Sequence, residues 1–289
     1  MRNQISVRTL LGVRSFGESL ICLRSLLACS ADPIQLIVHE DGTLTDEHRE
    51  QLRGLATDVC LVSRPVADAA VLPQLERHRR CLAARNAGPL FLKLFDVPLL
   101  AGSHLAYCDS DVFFVRRVAG LFTPPPPPAR LAFMSDATHA FAVRPWRAWP
   151  SGPVRLGGWV NTGLIVGDPT VVDLDHLEWL LEALAMDAGF ARRPYWAEQT
   201  CWAAVAARSG FALYDARRLV LADPGMTGVT PETVAIHFVS TYRDRLAGFR
   251  DRLLGDSPPV WVATRSGRIV SAVGLFWADF RRRAAPTVS

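Results

Sequence analysis

The stretch Leu105-Ala106-Tyr107-Cys108-Asp109-Ser110-Asp111-Val112-Phe113-Phe114-Val115 sets two acids in the middle of an apolar, strand-like run. Burying two like charges side by side is costly unless something neutralises them. In extended backbone, side chains two residues apart point the same way, so Asp109 and Asp111 are expected to converge on one site. Open α/β sheets bind ligands beyond the carboxyl ends of their strands. A hard divalent cation would satisfy both carboxylates and keep positions open for diphosphate oxygens; Mg²⁺ and Mn²⁺ both suit oxygen donors. The plain alternative is a strand-end turn with both acids solvated.

Working outward, strand and helix patterns alternate over the first 115 residues. Ile5–Leu11 reads as a strand and Ser15–Ala28 as a helix with Leu20, Leu23 and Leu27 at helical spacing. Asp32-Pro33 breaks it, and Ile34–Val38 is a compact apolar strand. Thr45, followed by Asp46 and Glu47, starts a helix to about Leu55, and Val59–Val62 is a third strand. Leu72–Ala87 reads as one charged helix, and Leu90–Leu100 as a shorter one. Beyond the acidic strand come strands Leu131–Met134, Trp159–Val166 and Phe211–Tyr214, and helices Leu174–Met186 and Glu198–Ala207. Pro124–Pro128 must be an extended surface loop, since none of the five donates a backbone hydrogen bond. Thr138–Gly158, with Trp146 and Trp149, has no clear period and reads as a functional loop. The expected fold class is α/β: a single Rossmann-like, mainly parallel sheet with helices on both faces.

Composition narrows the classes. The chain has 289 residues, 49% hydrophobic and 21% charged, which excludes wholesale disorder. A net charge of +4 does not announce a nucleic-acid binder. Lys93 is the only lysine among 32 basic residues, which makes it conspicuous. Six scattered cysteines without a CxxC pair suggest buried thiols in a reducing cytosol. No apolar run is long enough for a membrane span, and Arg14, Glu18 and Arg24 interrupt the early apolar stretch, so no signal peptide is expected. The expected location is cytoplasmic.

The Asp109-Ser110-Asp111 triplet resembles the DxD motif of GT-A-fold glycosyltransferases. Lys93-Leu94 resembles the basic residue upstream of that motif in family 8, the glycogenin and lipopolysaccharide galactosyltransferase group. Val160-Asn161-Thr162-Gly163-Leu164 looks like that group's F-N-x-G-V strand, Glu198-Gln199 its D-Q pair, and Ile236-His237-Phe238 its late V-H-F segment. These motifs keep the family's order over about residues 5–245. The resemblance implies a GT-A domain over 1–250, with a nucleotide-binding half (1–115) and a donor-sugar and acceptor half (116–250). Residues 251–289 are then an extension, packed on the domain or lying on a membrane surface.

The resemblance further implies His237 as third metal ligand. An imidazole beside two carboxylates suits Mn²⁺ better than Mg²⁺; a core histidine between Ile236 and Phe238 is the plain alternative. Lys93 would contact donor phosphate or sugar hydroxyls, and Ser110 would face the donor. Asn161 would hydrogen-bond the sugar or acceptor, with Gly163 allowing close backbone approach. Asp136 matches a position that binds donor sugar hydroxyls. Gln199 matches the position near the sugar's reacting face. Phe16 stands where the family has a base-binding tyrosine, with Thr9 on the strand. Ser240 and Arg243 replace the family's glycine and lysine, and both remain plausible phosphate ligands.

The implied activity is transfer of a sugar from a nucleotide-diphosphate donor, a UDP-sugar, to an unknown acceptor with retention. Glu198 is the one acid that could serve as a base, which would instead suit inversion. Haloacid-dehalogenase-type phosphatases also carry DxD, but near the chain start and with Thr or Val where Phe113 stands here. Nucleotidyltransferases carry a Gly-rich loop after the first strand, which Leu11-Gly12-Val13-Arg14 does not offer. A non-catalytic nucleotide-sugar-binding protein is the other alternative. Trp146 to Trp159 could supply stacking surfaces for a sugar ring or serve as core aromatics. Val273–Phe280 followed by Arg281-Arg282-Arg283 could make peripheral membrane contact, or pack as a terminal helix.

Overall fold

A computed structural model of the chain describes residues 4–144, 154–187, 190, 192–223, 226, 228–249, 258–271, 273–277 and 280. The side chains of Ser240 and Thr241 lie outside that description. So do Trp146, Trp149 and the three arginines 281–283.

The first half winds as the apolar runs dictate: β1 (Ile5–Leu11), α1 (Phe16–Cys29), β2 (Ile34–Glu40), α2 (Asp46–Arg53) and β3 (Val59–Val62). Next come α3 (Arg64–Leu75), α4 (Arg79–Ala87), α5 (Leu90–Leu99) and β4 (Leu105–Cys108). The one helix expected over Leu72–Ala87 is therefore two. Glu76 and Arg77 give no apolar anchor to continue α3, and His78 N–H turns back to Leu75 O (2.9 Å).

The second half holds β5 (Val112–Phe114), β6 (Val118–Ala119), β7 (Leu131–Ser135), β8 (Val160–Gly167), α6 (Leu174–Ala185), α7 (Pro194–Ser209), β9 (Phe211–Tyr214), β10 (Leu219–Leu221) and β11 (Ala235–His237). A 3-10 helix (Ser240–Phe249), β12 (Val260–Trp261) and β13 (Thr264–Ser266) close the order.

Eight strands form the central sheet in the order β13-β9-β7-β8-β4-β1-β2-β3. It is mostly parallel; β8 and β13 run against their neighbours. The alternation of side chains splits the core in two. Leu105, Tyr107, Leu131, Phe133 and Ile165 pack against α3 to α7 on one face. Ala106, Cys108, Ala132, Met134 and Leu164 pack with α1 and α2 on the other. Burial on both faces is why these strands read as unbroken apolar runs.

A small second sheet, β10-β11-β5, was not foreseen from the sequence. It takes in Val112–Phe114, so Leu105–Val115 is not one strand but two, in different sheets. Phe113, Val115, Ile236 and Phe238 seat it on Cys22 of α1 and on Leu246 and Phe249 of the 3-10 helix.

Residues 260–270 pair with the rest of the described chain. β12 pairs with β6, β13 with β9, and Val270 N–H donates to Leu156 O (2.9 Å). Leu275 is buried, whereas Val273, Phe276, Trp277 and Phe280 are exposed. Among the described residues, no helix is long and apolar enough to cross a membrane.

Helix α5 carries Lys93 and is fastened by a buried ion pair. Arg85 Nε donates to Asp96 Oδ1 (2.6 Å) and Nη2 to Asp96 Oδ2 (2.7 Å), while Nη2 also reaches Asp68 Oδ1 (2.6 Å). Removing one partner strands a buried charge, whereas replacing both by apolar groups need not cost much. Asp96→Ala should lower unfolding free energy by about 3–5 kcal/mol in urea denaturation, and Arg85→Met with Asp96→Leu should recover most of that loss. A single-variant cost under about 1 kcal/mol would show that the pair does not hold α5.

Candidate active site

The two acids lie on the seam between the sheets. Asp109 N–H donates to Gly163 O on β8 (2.8 Å), extending the β4–β8 ladder by one residue. The backbone then turns, with Val112 N–H reaching Asp109 O (3.3 Å). Phe238 N–H, just past β11, donates to Asp111 O (2.9 Å). One acid is thus held by the large sheet and the other by the small one. They converge through a turn, not through the pleat of a single strand.

His237 completes the group. It lies opposite Val112 in the β11–β5 pairing, and its Nε2 is 3.1 Å from Asp111 Oδ1 and 3.6 Å from Asp109 Oδ2. Ligand atoms of Asp109, Asp111 and His237 all fall within 4.8 Å of one another, the one such set of three His, Cys, Asp or Glu groups among the described residues. The other ring nitrogen sets the tautomer. Gly163 N–H donates to Asn161 Oδ1 (2.9 Å), which identifies that atom as the amide oxygen, and His237 Nδ1 lies 3.0 Å from it. Nδ1 must therefore carry the proton and donate. In the neutral ring, Nε2 then aims a lone pair at two carboxylates, an arrangement that needs a cation or a second proton between them.

Two further observations fit a cation there. Asp111 Oδ1 is buried and makes no hydrogen bond. Gly163 also clears the space: a Cβ at that position would sit 2.5 Å from His237 Nδ1. Without a metal the same geometry acts on protons. Burial opposes charge on His237, but Asp111 beside it prevails and raises its pKa. Burial likewise opposes ionisation of Asp111, yet His237 and Arg243 hold it well below the usual carboxylate range. Arg243, from the 3-10 helix, donates from Nε (3.0 Å) and Nη2 (2.6 Å) to Asp111 Oδ2.

On the large-sheet side, Lys93 is neither solvated nor snorkelling; it is 4% exposed. Its ammonium lies 3.2 Å from both Asp109 oxygens, 3.1 Å from Thr162 Oγ1 and 3.4 Å from Glu198 Oε2. Burial lowers its pKa, but Asp109 and Glu198 outweigh this and the net shift is upward. Thr162 relays the contact by donating to Glu198 Oε2 (3.1 Å), and Tyr107 OH donates to Asp109 Oδ1 (2.6 Å). Burial pushes Glu198 up to about 7, against the pull of Lys93.

A third group adjoins Asn161. Gln199 Nε2 donates to Asp136 Oδ2 (3.0 Å) and to Ala140 O (3.2 Å). The Asn161 side chain also bonds Asp136, whose pKa burial raises. Asp109, Asp111, His237, Lys93, Asn161, Gly163, Glu198, Gln199, Asp136 and Arg243 therefore form one connected network. Ser110 lies at its rim, where its hydroxyl accepts from Ser19 (3.2 Å). Thr9 is fully buried in β1, and Phe16 is buried at the start of α1 with its ring against His48 (4.3 Å between centroids). Among the described residues, no hydrogen bond or ion pair ties either of them to the network. Tyr107 and Thr162 were missed in the sequence. Tyr107 is two residues before Asp109 on a strand, so its position on the same face was available from alternation.

No protein-family model matches the chain, and no curated protein matches it. Solved structures do resemble it. Mouse xyloside xylosyltransferase 1 aligns with a TM-score of 0.55 over 83% of this chain and 99% of that one, at 11% identity. The chain has the GT-A fold. Two further glycosyltransferases share the GT-A architecture at 11% identity. The bifunctional WbbM gives a TM-score of 0.57 and GlyE of Streptococcus pneumoniae TIGR4 gives 0.52. The alignments take in 88% and 86% of this chain but only 50% and 60% of those two proteins. At this identity the likeness carries the GT-A architecture and not the reaction.

The raised carboxyl of Glu198 makes a pH prediction. Its folded value of about 7 lies above its ordinary 4.5, so folding takes up a proton between the two. The stability this confers is present in acid and lost as pH rises from about 4.5 towards 7. In urea denaturation across that window, Glu198→Gln should lose up to about 3 kcal/mol of the wild type's pH dependence. Parallel curves for the two proteins would remove Glu198 from the titration.

Proposed function

We propose that the chain is a metal-dependent glycosyltransferase that moves a sugar from a nucleoside-diphosphate donor, a UDP-sugar, onto an acceptor with retention, as the family 8 resemblance implies. The observation that carries this reading is the buried, unbonded Asp111 Oδ1 facing His237 Nε2 beside Asp109. Those three side chains would hold the metal, and one nitrogen with two carboxylates favours Mn²⁺ over Mg²⁺. When bound, a divalent cation supplies positive charge against the departing diphosphate.

Charge balance supports a diphosphate partner. The two aspartates already face two cations, Lys93 and Arg243. Adding a divalent ion leaves the site over-positive until a dianionic ligand arrives, so metal and diphosphate should bind together and weakly alone. Arg243 is the cation nearer solvent, with a third of its side chain exposed, and would turn from Asp111 to the donor phosphates. Lys93 is buried behind Asp109 and would act by holding that carboxylate and neutralising it. Asn161 and Asp136 offer hydrogen bonds for donor-sugar hydroxyls, and Asp136 with Ala140 O fixes the carboxamide of Gln199 near the reacting sugar. One observation favours the inverting alternative: a carboxyl poised near neutrality suits a general base. Against it, Glu198 is buried, with Lys93 and Thr162 both engaged on its Oε2.

Thermal shift should show little change with Mn²⁺ or UDP singly and a rise of several degrees with both. UDP-sugar hydrolysis dependent on Mn²⁺ should fall at least ~100-fold in Asp111→Asn and in Gly163→Ala, whose new methyl displaces the His237 ring. Stabilisation by both ligands without turnover of any nucleotide sugar would favour the non-catalytic binder, and equal hydrolysis by wild type and Asp111→Asn would remove the triad from the mechanism.

A further inference from the structure

Trp159 adopts φ +61°. For a bulky side chain that left-handed backbone is an outlier; it persists only when its surroundings fix it, and such residues gather at ligand clamps. Here the fixing groups are visible. Trp159 N–H donates to His139 Nδ1 (3.3 Å), Trp159 O accepts from Asp136 N–H (2.8 Å), and Gly158 N–H donates to Arg268 O (2.8 Å). Burial of the indole is not the cause, since Trp159 is 40% exposed. Its ring lies on the imidazole of His139 (4.4 Å, 43°), which stacks in turn on Phe141 (5.8 Å, 21°). His139 and Phe141 are buried, so the outermost ring of the pile is the one that reaches solvent.

The pile is coupled to the proposed site. Contacts run from the metal triad through His237 to Asn161, from Asn161 to Asp136, and from Asp136 to the Trp159 backbone. The loop carrying His139 and Phe141 also supplies Ala140 O to Gln199. A donor sugar is bonded directly to its diphosphate, so it lies next to the triad. The indole is carried two residues before Asn161, on the segment that Asp136 N–H bonds, and it is exposed.

We propose that Trp159 is the stacking platform of the acceptor site and that the acceptor is a carbohydrate, one pyranose ring of which lays its C–H face on the indole. This rests on the glycosyltransferase reading. A pyranose needs two chemistries at once, an apolar plane for its C–H face and acceptors or donors for its hydroxyl rim. The exposed indole offers the plane, and its backbone bond from Asp136 N–H ties it to the segment whose carboxylate holds Asn161 and Gln199. A lipid chain would need a broader apolar surface, and neighbouring Val160 is buried in the core.

The test is saturation-transfer NMR titration of the full chain, without donor, against a panel of methyl glycosides of common hexopyranoses and pentopyranoses. At least one should bind with millimolar affinity. Trp159→Gly should weaken it about tenfold and Trp159→Phe about threefold. Glycine adopts φ +61° freely, so the glycine variant should keep or raise the melting temperature, which separates loss of binding from loss of fold. The joint UDP–Mn²⁺ thermal shift should keep its size in that variant. Absence of glycoside binding by the wild type, or equal binding by Trp159→Gly, overturns the platform. Loss of the UDP–Mn²⁺ shift in Trp159→Gly overturns its assignment to the acceptor. Failure of the glycosyltransferase reading shows elsewhere, as nucleotide-sugar hydrolysis that is absent or indifferent to Asp111→Asn.

Discussion

Carrying two carboxylates into the interior of a sheet protein requires a cation for each, arriving from separate directions. That requirement organises this molecule. Asp109 is met by Lys93 from α5, and Asp111 by Arg243 from the 3-10 helix, with His237 between them. The segments are remote in sequence and meet only because the chain leaves the large sheet after Asp109 and enters the small one at Val112. A continuous strand would have put both acids on one face, to compete for the same lysine.

The network behind the acids is polar yet nearly saturated. Tyr107 and Thr162 are hydroxyls that satisfy carboxylates without adding charge. Asn161 uses one amide oxygen to orient both Gly163 N–H and the His237 ring. Such arrangements are stiff because each member fixes the next, and a partial version would be worse than an apolar core. The few unsatisfied atoms, Asp111 Oδ1 and Glu198 Oε1, therefore stand out. The first faces the triad. The second belongs to a carboxyl whose ionisation burial already discourages.

Much of the fold was legible from residue pattern. Ile5–Leu11, Val59–Val62 and Phe211–Tyr214 form strands with the expected limits, because unbroken apolar runs between polar breaks leave little else to form. The split of Leu105–Val115 was not legible, since Val112-Phe113-Phe114 is as apolar as Leu105-Ala106-Tyr107 and only tertiary pairing distinguishes the sheets. Strands as short as β6 and β12 carry too few residues for any period to show. In the site, charge inside an apolar run exposed Asp109 and Asp111, and the rarity of lysine marked Lys93. Trp159 was reached only as one end of a Trp-rich stretch and His139 not at all, because a left-handed backbone at a tryptophan has no signature in composition. Thr9 and Phe16 were reached through resemblance alone; both are buried.

The seam between the sheets has a mechanical corollary. Asp109 moves with β8 and Asp111 with β11, so the separation of their carboxylates records how the small sheet is seated on α1. Phe113, Ile236 and Phe238 set that seating from positions that carry no charge and meet no ligand. On the proposed metal reading, ion affinity would be a caliper for hydrophobic packing, and trimming any of those three side chains would be read out in the grip on a cation.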